Sequence, residues 1–294
     1  MTVPPGIRSM AISAFWFSIM SLLVKVAGRT MPSMEVVLWR AVLTLALSWA
    51  ALRGARIAPW GHDRRLLLAR GVLGCTALSC FYFSLVHLPL GEATLIQYMN
   101  PVFATILAAV FIGERIGRAE VACVVSSLAG VALIARPAFL FGGHAGPLPP
   151  AYVAIALAGA FCSGAAYVIV RRMGTSEHPL VVVFYLPLVT LPLTLPFAAV
   201  DWRWPTGWEW LVIAGIGATT QIAQIFMTRG LQIERSARAT ATGYLQVVFA
   251  GAWGALMLGE RPTAWSIAGA LLIVASTLVL IGTHRPTPTP SAEE

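Results

Sequence analysis

Ten apolar stretches, each close to the ~20 residues a helix needs to cross ~30 Å of hydrocarbon, follow one another along the chain. A window of about 19 residues places them at 8–28, 34–53, 66–88, 91–112, 118–136, 149–172, 178–199, 208–230, 237–257 and 263–283. The polar segments between them are short and rich in helix breakers: "MPS" at 31–33, "HLPLGE" at 87–92, "FGGHAGPLPP" at 141–150 and "WRWPTGW" at 202–208. None is long enough for a separate soluble domain. The pattern predicts an all-α polytopic membrane protein, followed at 284–294 by a Pro/Thr-rich disordered tail.

Composition agrees. With 58% hydrophobic and 11% charged residues and a mean hydropathy of +0.79, the chain is far from a soluble domain, which has roughly 45–50% apolar and about 25% charged residues. The net charge of +8 is scattered between apolar runs and forms no basic stripe interleaved with aromatics, so no nucleic-acid partner is expected. Cys75, Cys80, Cys123 and Cys162 all fall inside apolar stretches, without a CxxC pair or a histidine at ligand spacing. They are expected to be buried thiols, and neither a metal nor a cofactor is predicted.

The basic residues indicate orientation. With the N-terminus cytoplasmic, Arg8, Arg53, Arg56, Arg64, Arg65, Arg70, Arg115, Arg118, Arg171, Arg172, Arg229, Arg235, Arg238 and Arg285 fall on the cytoplasmic side, 14 of the 20 Lys and Arg residues. Both termini are therefore expected in the cytoplasm.

A shift of 146 residues superimposes one half of the chain on the other without a gap. It brings Gly113-Glu114-Arg115 onto Gly259-Glu260-Arg261, Ala93-Thr94 onto Ala239-Thr240 and Tyr98 onto Tyr244. The "VFA" at 102–104 falls on the "VFA" at 248–250, Ala14-Phe15 on Ala160-Phe161, Lys25 on Arg171 and Gly71 on Gly217. The first stretch thus has a mid-chain counterpart and reads as a retained helix, although Arg8 before an apolar run resembles a signal peptide. The repeat divides the chain into 1–140 and 141–283. Because each unit holds five spans, an odd number, the second must cross the membrane in the opposite sense. The expected fold is ten transmembrane helices in two inverted five-helix repeats, an arrangement typical of secondary transporters.

The fourth stretch, "YMNPVFATILAAVFIGERI", and its ninth-stretch echo, "YLQVVFAGAWGALMLGERP", resemble the EamA-type branch of the drug/metabolite transporter superfamily. The resemblance extends over about residues 8–283 and is closest to bacterial exporters of amino acids and related metabolites. It implies an inner-membrane transporter working by alternating access, in contact with membrane lipid and a small solute, monomeric and not an enzyme. Two alternatives remain: the same fold carrying a nucleotide sugar, sugar phosphate or drug-like compound, and a polytopic lipid enzyme. The first would need several basic residues in the cavity and the second clustered acids, His or Cys near the interface. One departure from the repeat is that Pro101 becomes Val247 in the second half, which predicts halves of unequal flexibility.

Intramembrane polar residues are the candidates for solute binding. Gln97, Tyr98 and Asn100 cluster before Pro101, a predicted hinge that frees a backbone carbonyl, and Tyr244 and Gln246 occupy the matching places of Tyr98 and Asn100. The alternative is that these amides only join helices. Gln221 and Gln224 lie on one face of the eighth stretch, where the first half has Cys75 and Leu78. Tyr82, Trp16, Ser18, Ser163 and Tyr167 complete the candidates, whereas Trp202, Trp204, Trp208 and Trp210 read as an interfacial belt. Arg40, inside the second stretch, costs at least ~2.5–3.5 kcal/mol on insertion scales if unpaired. Pairing with Glu35 or snorkelling outward is favoured for it over binding a substrate carboxylate. Lys25 and Arg171 read as anchors, and Gly-Glu-Arg as a helix stop whose charges reach water. No Asp or Glu is central in any stretch, which disfavours proton coupling through a midplane carboxylate and suits a neutral or zwitterionic solute.

Overall fold

The computed structural model describes residues 3–88, 90–142, 149–198, 202–257, 259, 261 and 263–282. Among these the chain is helical and contains no strand. The first half comprises α1 (Pro5–Ala27), α2 (Ser33–Gly54), α3 (Arg64–His87), α4 (Leu90–Gln97), α5 (Asn100–Phe111) and α6 (Arg118–Ala135). A four-residue helix, α7 (Ala138–Phe141), precedes α8 (Pro150–Met173), α9 (Pro179–Ala198), α10 (Gly207–Ile233), α11 (Ser236–Thr242), α12 (Leu245–Met257) and α13 (Ala264–Gly282). The sequence did not anticipate α7. The tail at 284–294 and Glu260 of the second Gly-Glu-Arg lie outside the described residues.

Local chemistry sets the ends. Pro5 and Pro150 each open a helix at a position whose N–H has no helical acceptor, so the missing donor costs nothing. The Asp63 side chain accepts from the Arg65 and Leu66 amides and starts α3, while Thr206 and Glu209 cap α10, with the Thr206 N–H 2.6 Å from Glu209 Oε2. Gly113, at φ 75°, and Gly259, at φ 67°, follow α5 and α12 in the left-handed conformation that ends helices.

Among the described residues, eight helical stretches are long and apolar enough to cross a membrane. Outside that set are α3, which carries Arg64, Arg65 and Arg70, and the α11–α12 pair, whereas the likewise broken α4–α5 pair is inside it. The fourth stretch breaks between α4 and α5 at Tyr98-Met99, and the ninth between α11 and α12 at Gly243-Tyr244, one residue before the matching position. Replacement of Pro101 by Val247 therefore does not remove the break from the second half. At both places hydrogen bonds contract to i→i−3: Met99 N–H to Ile96 O at 3.0 Å, and Tyr244 N–H to Ala241 O at 3.2 Å.

Packing follows the repeat. The first helix of each half lies against the third helix of the other, α1 on α10 and α8 on α3. Likewise α5 packs on α8 and α12 on α1, whereas α2 meets its own counterpart α9, and α6 meets α13. Small residues permit the closest crossings. A Cβ on Gly130 would sit 2.7 Å from the Gly269 carbonyl, and one on Gly164 would sit 2.8 Å from the Ala104 amide nitrogen of α5.

Each end of the bundle is tied by polar contacts. At one end Arg171 Nε lies 2.6 Å from Glu114 Oε1, whose other oxygen accepts the Ser236 N–H at 2.9 Å. Arg235 and Arg238 converge on Glu120, and Glu177 accepts the His62 and Asp63 amides. At the opposite end Arg203 bridges Glu209 at 2.7 Å and the Thr30 carbonyl. Trp39 packs there against Trp202, Trp204 and Trp210. Helix α1 begins at the first end, where its counterpart α8 finishes.

Three sequence expectations need correction. Glu114 does not simply reach water: held by Arg171 and the start of α11, its side chain is only 13% exposed, and Arg115 alone faces outward. For the same reason Arg171 is a member of an inter-helix ion pair and not a mere anchor. Arg70, counted among the cytoplasmic loop residues, is 3% exposed inside α3, because its side chain lies along the helix beside Gly74, on the face that packs against α9.

Candidate functional site

The polar residues that the sequence singles out separate into two groups. The first surrounds the paired helix breaks. Tyr244 is fully buried, its hydroxyl donates to the Tyr98 carbonyl at 2.9 Å, and the two rings stack with centroids 5.9 Å apart. That carbonyl is available because α4 has ended, leaving no amide of a continuing helix to take it. Asn100 Nδ2 donates to Ser163 Oγ at 3.3 Å, and Trp253 Nε1 to Ser18 Oγ at 3.0 Å. Gln246 Nε2 approaches Ser21 Oγ at 3.5 Å. Both amides thus point to the first helix of the opposite half, as helix-joining side chains do. Phe15 on Phe249 and Phe161 on Phe103 repeat the same edge contact across the two halves.

Of the remaining candidates, Trp16 is partly buried on α1, edge-on to Phe15. Gln97 ends α4, also partly buried, and Pro101 is buried in the first turn of α5. Tyr167 on α8 packs beside Leu107 and Ala104 and lies near both Arg70 and Tyr98. The Tyr82 side chain lies outside the described residues.

The second group forms a cleft between α2, α9 and α10. Arg40 and Thr44 line it from α2, Val183, Pro187 and Thr190 from α9, and Thr220, Gln221 and Gln224 from α10. Gln221 falls near the middle of α10, so the cleft sits deep in the bundle. Ser48 Oγ donates to Gln221 Oε1 at 3.1 Å, which orients that amide. Gln221 Nε2, Thr220 Oγ1 and Gln224 Oε1 are buried without a hydrogen-bond partner among the described residues. Orphaned polar atoms of this kind each cost about 1–3 kcal/mol, and three of the nine such atoms among the described residues line this cleft. Pro187, inside α9, also removes the amide that would take the Val183 carbonyl.

Arg40 does not pair with Glu35. The Glu35 carboxylate lies near Arg203 at the end of the bundle, with both oxygens buried and without a hydrogen-bond partner among the described residues, while Arg40 lines the cleft and forms no ion pair with an acid among the described residues. The sequence also missed Arg70 and the threonines. Arg70 Nε is buried and unbonded, with the guanidinium beside Gly74, where a Cβ would collide with it. Thr44 and Thr190 occupy the same place in the two repeats; a polar residue kept by both halves at mid-span was the signal that pointed to them.

A deep cleft with unpaired polar groups, on a bundle built twice, defines a polytopic membrane transporter. The chain belongs to the EamA-like transporter family, whose model matches residues 4–136 and again 150–282. It is 31% identical over 281 residues to the pseudopaline exporter CntI of Pseudomonas aeruginosa, covering 95% of this chain and 97% of that one. It is 30% identical to human solute carrier family 35 member G1, over 93% of this chain and 78% of the relative. The S-adenosylmethionine uptake transporter of Rickettsia felis is 22% identical over 74% of this chain and 72% of its own length. A solved crystal structure superimposes with a TM-score of 0.81 at 20% identity, covering 92% of this chain and 94% of the other, a likeness of fold.

Proposed function

We propose that the protein exports amino acids or related small metabolites across a bacterial inner membrane by alternating access, through ten spans in two inverted five-helix repeats. In this reading α3 and the α11–α12 pair are the two further spans. The opposite run of α1 and α8, and the reciprocal packing of first on third helices, support the inversion. Alternating access requires two near-equivalent bundles that can exchange shapes about one site. The gathering of Arg171, Arg235 and Arg238 at the end where α1 begins supports cytoplasmic termini.

The observation that carries the reading is the mid-depth cleft, lined by Arg40, in which the Thr220 hydroxyl and one atom each of the Gln221 and Gln224 amides lack protein partners among the described residues. Tyr98 and Tyr244 are assigned a supporting role at the paired helix breaks, where their contact changes as solute enters and leaves. Among the described residues no acid lines the cleft, and Glu114, Glu120 and Glu209 sit at helix ends, which supports transport without a central proton-carrying carboxylate.

Counterflow of radiolabelled amino acids into liposomes, with and without a pH gradient, tests this. Uptake of at least one amino acid without a gradient is expected. No uptake of any would sink the substrate class, and strict dependence on the gradient would sink the uncoupled mechanism. Tyr98→Ala and Tyr244→Ala are expected to slow transport several-fold in protein that still elutes as a folded species.

A further inference from the structure

The cleft lies where the repeats meet. Arg40, Ala41 and Thr44 of α2 occupy the same register as Leu186, Pro187 and Thr190 of α9, and all six line it. Up to that point the walls are close to symmetric. Helix α10 breaks the symmetry by presenting Thr220, Gln221 and Gln224 where α3 has Gly74, Cys75 and Leu78. A single guanidinium from the first repeat therefore faces a set of hydroxyls and amides from the second.

Donors and acceptors in this space do not balance. Arg40 brings five N–H groups in a fixed fork and no acceptor. Ser48 already occupies Gln221 Oε1, which leaves Gln221 Nε2 as a further donor with nothing to bond. Thr220 Oγ1 is also unbonded, and Glu35, the acid nearest in sequence, lies away at the end of the bundle beside Arg203. Several convergent donors around one positive charge call for a planar anion that accepts two bonds side by side, as a carboxylate does. Acceptors line the cleft as well: Gln224 Oε1 is unbonded, Pro187 deprives the Val183 carbonyl of its helical amide, and the Thr220 hydroxyl can accept as well as donate, so they suit N–H groups elsewhere on the same solute.

We propose that Arg40, Gln221 and Thr220 form a carboxylate-recognition site between the two repeats, so that the cargo is a small organic acid with a free carboxylate and an adjoining N–H donor. The assignment deepens the transporter reading and rests on it for the role of the cleft. It discriminates sharply among solutes: a neutral sugar leaves the guanidinium unmatched, and a lipophilic cation is repelled by it.

The test compares L-phenylalanine with L-phenylalaninamide, which differ at the acid group alone, on the full-length protein. Binding is read in detergent as a ligand-dependent shift in thermal unfolding, and transport in liposomes by counterflow. The acid is expected to bind and move at least tenfold better than the amide. In Arg40→Gln that preference is expected to fall below about threefold, since the bidentate charge-assisted contact is lost. Gln221→Glu guards against a misfolded Arg40 variant: it gives Arg40 an internal partner, so the protein is expected to stay folded and still lose the preference for the acid. Equal handling of acid and amide by the wild type, with transport intact, would overturn the carboxylate site and leave the transporter reading standing. Binding of the acid through Arg40 without counterflow would do the reverse. A preference that survives in both variants, or no binding of either compound, also overturns the site.

Discussion

The contact between Tyr244 and Tyr98 joins the two halves at residues 146 positions apart. Because the hydroxyl is fully buried, the bond has no competition from water, and its loss is felt more than a surface bond's. Tyr244→Phe keeps the ring stacked and removes only the donor, leaving the Tyr98 carbonyl unbonded. A cost of about 0.5–1.5 kcal/mol is expected, read as a lower unfolding temperature in detergent. An unchanged melting temperature would mean that the carbonyl finds another donor. The residue scale also explains why Arg40 resisted reading from sequence. Whether a guanidinium one turn and a half beyond Glu35 pairs with it depends on where the carboxylate turns, and that is decided by Trp39 and Arg203 from elsewhere in the chain.

Among the helices, close approach is set by glycine. At Gly164 the α5 backbone leaves no room for a Cβ, since the Ala104 nitrogen and Asn100 oxygen lie 2.8 and 2.9 Å from its ideal position. A backbone cannot swing aside as a side chain can, so α5 and α8 must part. Gly164→Val is expected to destabilise by at least ~1–3 kcal/mol, visible as loss of the monodisperse peak in size-exclusion chromatography. Gly251, inside α12 with nothing within 4 Å of its would-be Cβ, serves as the control for space. Helix limits were legible within about three residues in every case, because a span's length is imposed by the bilayer and its ends by Pro, Gly and Asp caps. The breaks at Tyr98 and Gly243 were only half legible: Pro101 marks one, and nothing as plain marks the other.

For the whole molecule, the pair Glu114–Arg171, with the Ser236 amide, fastens one end of the bundle across α5, α8 and α11. If that end opens during transport, the pair must break in each cycle. Glu114→Gln and Arg171→Gln are each expected to change the transport rate, and the double variant to change it less than their combined effects. A double-mutant cycle measures that coupling, expected near 1 kcal/mol for a pair only partly shielded from solvent. Strictly additive effects would show that the pair merely decorates the surface. Orientation is tested separately by single cysteines in a variant without the four native thiols. One replacing Arg56 is expected to react with an impermeant maleimide only from the cytoplasmic side, and one replacing Trp204 only from the other.

Some of this was written in the order of residues. Apolar runs of span length can only be membrane helices, and a gapless 146-residue echo of Gly-Glu-Arg, Ala-Thr and Tyr can only be a duplicated unit; both follow from local composition and from register, which one dimension contains. The tertiary structure decided which polar residues meet. It placed Tyr244 in a bond to Tyr98, turned Glu114 inward to Arg171, buried Arg70, and set Arg40 opposite Gln221 in one cleft. Those outcomes depend on how α2, α9 and α10 are rotated about their own axes against one another. In helices that are apolar on nearly every face, no amphipathic stripe announces that rotation, so packing of the whole bundle selects it.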